Sequence, residues 1–146
     1  MQDSDLFINT FRGSFTGILR WPQLDELWDV LLSSDLTGWY IYAVGETPPE
    51  TVVDEIQLKR FIKEIDKLLR QEHQEDYCGV VYVDDKQAPE FIKIFDPNNL
   101  GVTCGFSDNP PLPGWILCKI KPVDLPTALP RPGNRRRWWK KLFGKA

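Results

Sequence analysis

The sequence predicts an α+β fold, a two-layer sandwich in which a mostly antiparallel sheet carries two main helices on one face. Two observations predict it. Amphipathic helical stripes occur near residues 21–34 and 48–74, and short apolar segments joined by polar turns follow from residue 77 onward. Short connections favour antiparallel pairing, because a parallel pair needs a long crossover. A sheet and helices that each have one apolar face bury those faces against each other.

The N-terminal third predicts one clear helix after an ambiguous start. Gly13 and Gly17 interrupt the apolar pattern of the first twenty residues, so a short helix followed by a strand fits, and so do two short strands. The first clear helix begins at Trp21-Pro22, where proline suits the first helical turn. Its apolar stripe has the helical spacing and consists of Leu24, Leu27, Trp28 and Leu31.

A strand and a long helix are predicted next. Residues 38–45 are rich in aromatic and β-branched side chains, and the nearly continuous apolar run predicts a central strand covered on both faces, or on one face by tyrosines. Residues 47–50 match a capping box, with prolines where a first turn tolerates them. The helix is therefore predicted from about Pro48 to Gln74, with an apolar stripe of Leu58, Phe61, Ile62, Ile65, Leu68 and Leu69.

The later strands are predicted from short apolar runs between turns. Residues 77–83 and 91–95 indicate a hairpin, and residues 102–106 a further short strand. The proline-rich residues 107–114 predict a loop. In residues 115–121 apolar side chains alternate with lysines, which predicts a half-exposed strand at the edge of the sheet.

Composition and charge divide the 146 residues into three parts. We predict a globular domain over 1–124, a proline-rich linker over 125–134 and a basic tail over 135–146. Residues 1–124 carry 11 Lys/Arg and 21 Asp/Glu, a net charge of −10, whereas residues 125–146 carry seven Lys/Arg and no acidic residue. An acidic body with a basic end is typical of an interaction tail. The chain has no run of ~20 apolar residues that could span a bilayer.

Catalytic and metal-binding arrangements have weak support. His73 lies five residues before Cys78, and such a pair could form a thiolate nucleophile, but a histidine at a helix C-terminus is also explained by the helix dipole. Four carboxylates grouped around one hairpin could bind a divalent cation, but turns are naturally rich in aspartate; they are Asp84, Asp85, Glu90 and Asp96. Glycine-rich phosphate loops are absent. We therefore favour a protein without catalytic activity, leave an enzyme open, expect no cofactor or metal, and name no catalytic residue.

The three cysteines and one tryptophan are interpreted as packing residues. Cys78, Cys104 and Cys118 have no metal-ligand spacing, and an acidic N-terminus without an apolar core predicts no secretion signal, so we expect reduced thiols in the core. Trp115 follows a proline-rich loop. It could pack under that loop, or it could form part of a ligand groove.

The strongest functional signal is the tail. On a helical wheel its large apolar side chains occupy an arc of about 140°, and nearly all its cations occupy the other side. Such segregation is typical of a helix that lies in a membrane interface. The residues predicted to bind a membrane or another polyanion are Arg135, Arg136, Arg137, Trp138, Trp139, Lys140, Lys141, Leu142, Phe143 and Lys145.

These features predict a binding or adaptor module without catalytic activity, attached peripherally to an anionic membrane surface by its tail. We expect it in the cytoplasm, at the inner face of a membrane, with an unidentified protein partner and no known small-molecule ligand. Arginines beside tryptophans also suit RNA or single-stranded DNA, so a nucleic-acid-associated protein is the alternative. Docking of the tail on the acidic body, a merely solvated tail, and a small enzyme of unknown reaction stay open as well.

Overall fold

The structure is a computed structural model that describes residues 3–99 and 112–128. Of the two arrangements considered for the first twenty residues, a helix followed by a strand is the one formed. The predicted strand at 102–106 lies outside the described residues. In chain order the elements are α1 (Asp3–Phe11), β1 (Thr16–Arg20), α2 (Trp21–Leu32), β2 (Tyr40–Ala43), α3 (Glu55–Glu72), β3 (Tyr77–Val83), β4 (Phe91–Ile94), β5 (Trp115–Cys118) and α4 (Leu125–Ala128).

The five strands form one open antiparallel sheet in the order β1-β3-β4-β5-β2. This confirms the predicted α+β class and the β3–β4 hairpin. Two placements were wrong. β2, predicted as central, lies at the edge of the sheet, and β5, predicted as an edge strand, lies between β4 and β2. The central strand is β4.

The misplacement of β5 has a local cause. Lys119 and Lys121 suggested an exposed face, but the strand ends at Cys118, before both lysines. Within the strand, Ile116, Leu117 and Cys118 are all completely buried, because layers of side chains cover both faces of the sheet here. Trp39 directly before β2, and Tyr42 within it, are likewise buried although β2 is at the edge.

The two main helices, α2 and α3, pack on one face of the sheet, as predicted. Their buried stripes meet Val80, Val81 and Ile92 from the sheet in the larger core. A polar contact ties the two helices together at the rim of this core. The indole N–H of Trp28 donates to Asp66 over 3.1 Å, and Arg70 in turn binds Asp66. The residues of α2 and α3 in this core are Leu24, Leu27, Trp28, Leu31, Leu58, Ile62, Ile65 and Leu69.

The long helix begins later than predicted. The predicted capping box at residues 47–50 is wrong, and the helix is capped by Asp54 instead. The Asp54 carboxylate accepts a 2.7 Å hydrogen bond from the backbone N–H of Gln57, whose side-chain oxygen accepts one of 2.9 Å from the N–H of Asp54. Upstream, the chain bends at residues 50 and 51, and the N–H of Val53 donates to the carbonyl of Trp39, directly before β2.

The opposite face of the sheet is covered by α1 and by the end of the described chain. Phe7, Tyr42, Phe91, Ile116 and Cys118 form this second, smaller core, together with Leu125. Leu125 was predicted as the first linker residue, yet it is completely buried, so the packed chain continues into α4. None of the helices within the described ranges is long and apolar enough to cross a membrane.

Candidate functional site

The basic tail, residues 135–146, lies outside the described residues, so its predicted role stays a prediction. Trp115, the predicted groove residue, begins β5, where it pairs with Ile94 of β4 and Ala43 of β2. Its side chain is half-buried and packs against the core beneath α2 and α3. Trp115 is therefore placed by packing on the helix-covered face.

The last described segment of the chain is fastened to the fold at Leu125. The backbone N–H of Leu125 donates a 3.0 Å hydrogen bond to the hydroxyl of Tyr42, and both residues are completely buried. Burial removes water from the Tyr42 hydroxyl and raises its pKa, so the group stays neutral. The described chain thus ends in a segment that is anchored at Leu125 and lies beside α1.

A groove of about 510 Å³ lies between α1 and this terminal segment. Its lining combines apolar side chains with both signs of charge, since Asp5 and Asp124 face it together with Arg12. Opposite charges within one shallow groove leave little net field for a ligand. The lining residues are Asp5, Ile8, Asn9, Arg12, Val123, Asp124 and Thr127.

The sulfur of Cys78 does not have the environment of a nucleophile. Its side chain is completely buried in the core, and this burial raises the pKa of the Cys78 thiol. A reactive cysteine needs the opposite shift, because the thiolate is the attacking form. His73 follows the last turn of α3, as predicted, and its ring contacts the rings of Trp21 and Tyr77 edge-on. Cys118 is also buried, which raises the pKa of its thiol to about 12.

The aspartates considered as metal ligands support turns. One Asp84 carboxylate oxygen accepts from the backbone N–H groups of Glu90 and Phe91, at 3.0 and 3.1 Å, and so fastens the hairpin. Asp85 and Asp96 each accept from the backbone two residues ahead. Over residues 3–99 and 112–128, no group of three or more His, Cys, Asp or Glu side chains could hold a metal ion.

The most distinctive polar group of the described fold is Lys93, which the sequence analysis did not single out. It lies in the middle of β4, at the centre of one row of residues that crosses all five strands on the α1 side of the sheet. The row consists of Gly17, Tyr82, Lys93, Ile116 and Tyr42.

Two phenylalanine rings enclose the Lys93 ammonium. Its Nζ lies 4.2 Å from the ring centroid of Phe11, at the end of α1, and 3.8 Å from that of Phe15, in the following loop. The side chain is half-buried, and removal of water from the ammonium lowers the pKa of Lys93 to about 8. The cause is desolvation, which disfavours the charged form.

Comparisons with known proteins gave no match. No protein-family model matches the chain. A search of curated proteins found no similar sequence, and a search of solved structures found no similar fold.

Proposed function

We propose that this protein is a binding or adaptor module without catalytic activity, attached peripherally to an anionic membrane surface by residues 135–146. The observation that carries the proposal is the arrangement of that segment. Trp138, Trp139, Leu142 and Phe143 share one side of a helical wheel, and most of the cations take the other. A cytoplasmic location at the inner, anionic face of a membrane follows from the same proposal.

The two sides of the tail contribute in different ways. Each cation close to an anionic bilayer adds ~1 kcal/mol, and this contribution weakens as salt screens it. The apolar side chains enter the boundary between headgroups and acyl chains and add a contribution that salt does not screen. A segment of about three turns is too short for a stable helix in water, so helix formation would accompany binding.

The geometry of the fold suits a tethered, acidic body. The described chain ends in α4, where Leu125 is buried and Thr127 is exposed, and the sequence of residues 129–134 follows this turn. Six residues reach at most about 20 Å. Charges separated by more than ~8 Å are largely screened at physiological salt, so this reach lets the body, net −10 over residues 1–124, stand away from an anionic surface.

The environments of the thiols and carboxylates considered as catalytic or metal-binding groups also support a binding role. Burial raises the pKa of the Cys78 and Cys118 thiols, which disfavours the nucleophilic thiolate. The carboxylates of Asp84, Asp85 and Asp96 are engaged by backbone N–H groups. These side chains are accounted for by folding.

The direct test uses the full-length protein and vesicles containing anionic lipid. Replacing Leu142 and Phe143 together by serine keeps every cation and both tryptophans of the tail. Because a large apolar side chain contributes ~1.5–3 kcal/mol when fully buried, we expect binding in a vesicle co-sedimentation assay to fall at least about tenfold.

A matched control removes exposed apolar side chains from the body. Leu19 and Ile56 are 63% and 69% exposed, and their double replacement by serine should leave vesicle binding unchanged. Equal losses in the two double variants would contradict an inserted tail. An inserted tail would also be contradicted if the parent and the Leu142/Phe143 variant bound vesicles equally well and both lost binding at moderate salt.

Nucleic acid is the competing polyanion, because Arg137 beside Trp138 can combine phosphate pairing with base stacking. The same Leu142/Phe143 variant separates the two, since its cations and tryptophans are intact. Tight binding to single-stranded RNA by parent and variant, without binding of the parent to vesicles, would replace the membrane proposal with the nucleic-acid one. Binding to nucleic acid should also fall steeply as the salt concentration rises, because it depends mainly on counterion release.

A further inference from the structure

Lys93 is a half-buried cation whose surroundings are aromatic and apolar. Its Nζ lies 3.8 and 4.2 Å from two phenylalanine ring centroids, and within the described ranges it has no acidic partner. Arg70 shows the usual alternative, since its guanidinium pairs with Asp25 at 2.7 Å and with Asp66 at 3.0 Å. Among residues 3–99 and 112–128, this amine is thus partly removed from water and has no carboxylate to keep it protonated.

The consequence is a larger share of uncharged amine. With a pKa of about 8, roughly one-tenth of Lys93 is uncharged at pH 7, against less than about one part in a thousand for a lysine of ordinary pKa near 10.4. The uncharged amine is the nucleophilic form. The two ring faces attract the ammonium and oppose this trend, so desolvation and ring contact act in opposite directions.

The same surroundings restrict the kind of group that Lys93 can accept. Ring faces carry negative partial charge and repel anions, so an anionic ligand against Phe11 and Phe15 is disfavoured. A neutral product is favoured, because it removes the partly desolvated charge. The side chain of Ile116, beside Lys93 in the same row, is completely buried, so the apolar environment of Lys93 continues into the core.

We propose that Lys93 is a covalent modification site for small apolar aldehydes, which it binds as an imine. The protonated amine first loses one proton to solvent. Its nitrogen lone pair then attacks the carbonyl carbon, and an N–C bond forms while the carbonyl oxygen takes up a proton. The C=O π bond breaks as its electrons move to oxygen, which gives a carbinolamine. The C–O bond then breaks, water leaves with that oxygen, and a C=N bond forms. The neutral amine loses both of its N–H protons over these steps, which balances the two hydrogens of the water. No oxidant or reductant takes part.

The test maps imine formation by trapping. Full-length protein is treated with butanal and sodium cyanoborohydride, which reduces an imine to a stable secondary amine, and the labelled lysines are identified by peptide mass spectrometry. Lys86 is the internal control, because it is exposed in the turn of the same hairpin. At pH 7 we expect labelling of Lys93 to exceed that of Lys86 at least about tenfold. The rate at Lys93 should level off near pH 8.

Two replacements of Phe15 separate desolvation from ring contact. Phe15→Leu keeps an apolar neighbour but removes the ring face, so labelling of Lys93 at pH 7 should rise or stay equal. Phe15→Ser admits water, so labelling should fall several-fold toward that of Lys86. Thermal unfolding shows whether each variant is folded, and the pH profile of the unchanged protein decides the question if either variant is not.

Two results would overturn the proposal. One is labelling of Lys93 at pH 7 that is no faster than labelling of Lys86. The other is labelling that appears only when the protein is unfolded by denaturant, which would show an inaccessible amine. Replacement of butanal by the anionic aldehyde glyoxylate should lower the preference for Lys93, and a higher preference would contradict the apolar specificity.

Discussion

The hydroxyl of Tyr42, on the edge strand β2, accepts a 3.0 Å hydrogen bond from the backbone N–H of Leu125, 83 residues further along the chain. Both side chains are completely buried in the core beneath α1. This bond joins the edge of the sheet to the segment that leads to the basic tail. It satisfies a buried backbone donor that would otherwise be costly to leave unpaired.

Replacement of Tyr42 by phenylalanine tests this bond. The aromatic ring stays, and the N–H of Leu125 loses its partner, so we expect the free energy of unfolding to fall by about 1–3 kcal/mol. Chemical denaturation with an unchanged slope would measure the loss. Tyr40→Phe is the matched control, since Tyr40 is half-buried on the same strand and face. An equal loss in the control would show that the Leu125 contact contributes nothing specific.

Truncation should locate the end of the packed domain. A chain ending at residue 128 keeps the buried Leu125 and should melt within a few degrees of the full-length protein. A chain ending at residue 124 loses that side chain and the bond to Tyr42, and should be less stable by about 2–5 kcal/mol, as for other large core truncations. Thermal unfolding monitored by circular dichroism compares them. Equal melting of the two fragments would mean that the terminal segment does not stabilise the fold.

The parts of the fold that were predictable depend on local pattern. The stripe from Leu58 to Leu69 identifies α3 at any position in the fold, because helical periodicity is a property of neighbouring residues. Its start was missed because prolines near residue 48 suggested a first turn, whereas the cap is Asp54. In the segment between them, Val53 is tied by a backbone hydrogen bond to Trp39, a contact between distant residues that local pattern does not reveal.

Strand order was less predictable, because it depends on pairing between distant segments. The apolar run of β2 and the lysines after β5 suggested the reverse of the observed placement. The Lys119 ammonium lies 5.4 Å from the ring centroid of the buried Trp39. A lysine directly after a strand is therefore compatible with a strand that is itself buried. Lys93 was missed for a similar reason. A lone lysine in a strand is typical of a solvated face, and its cover comes from α1, whose structure the sequence left ambiguous.

The buried thiols predict slow labelling and a characteristic loss of stability at high pH. An unfolded cysteine ionises near its ordinary pKa of ~8.5, whereas burial raises the pKa of Cys118 to about 12. The neutral thiol therefore stabilises the folded state fully below pH ~8.5, and this contribution is lost as the pH rises toward 12. Cys118→Ala should show a shallower loss of stability above pH 9 than the parent.

Thiol labelling gives an independent readout. Iodoacetamide followed by peptide mass spectrometry should modify Cys78 and Cys118 slowly in the native protein and rapidly in denaturant, because both side chains are completely buried. Rapid native labelling of Cys78 at neutral pH would contradict its burial and revive a nucleophilic role. A decline above pH 9 that is identical in Cys118→Ala and the parent would assign that decline to other groups.

The charges of the tail should act by position and not through net charge. Replacing Arg136 and Lys140 by glutamine removes two cations from the polar side of the predicted tail helix. At ~1 kcal/mol each near an anionic surface, their loss should weaken vesicle binding about thirtyfold. The matched control replaces Lys63 and Lys67 by glutamine. These residues have the same spacing and lie exposed on α3, so net charge changes equally while vesicle binding should stay within about twofold of the parent.

The two pairs are compared by co-sedimentation at low and physiological salt, where the difference should shrink as salt rises. Equal weakening by both pairs would show that overall charge governs the association, and a tail inserted at the membrane interface would then be the wrong account.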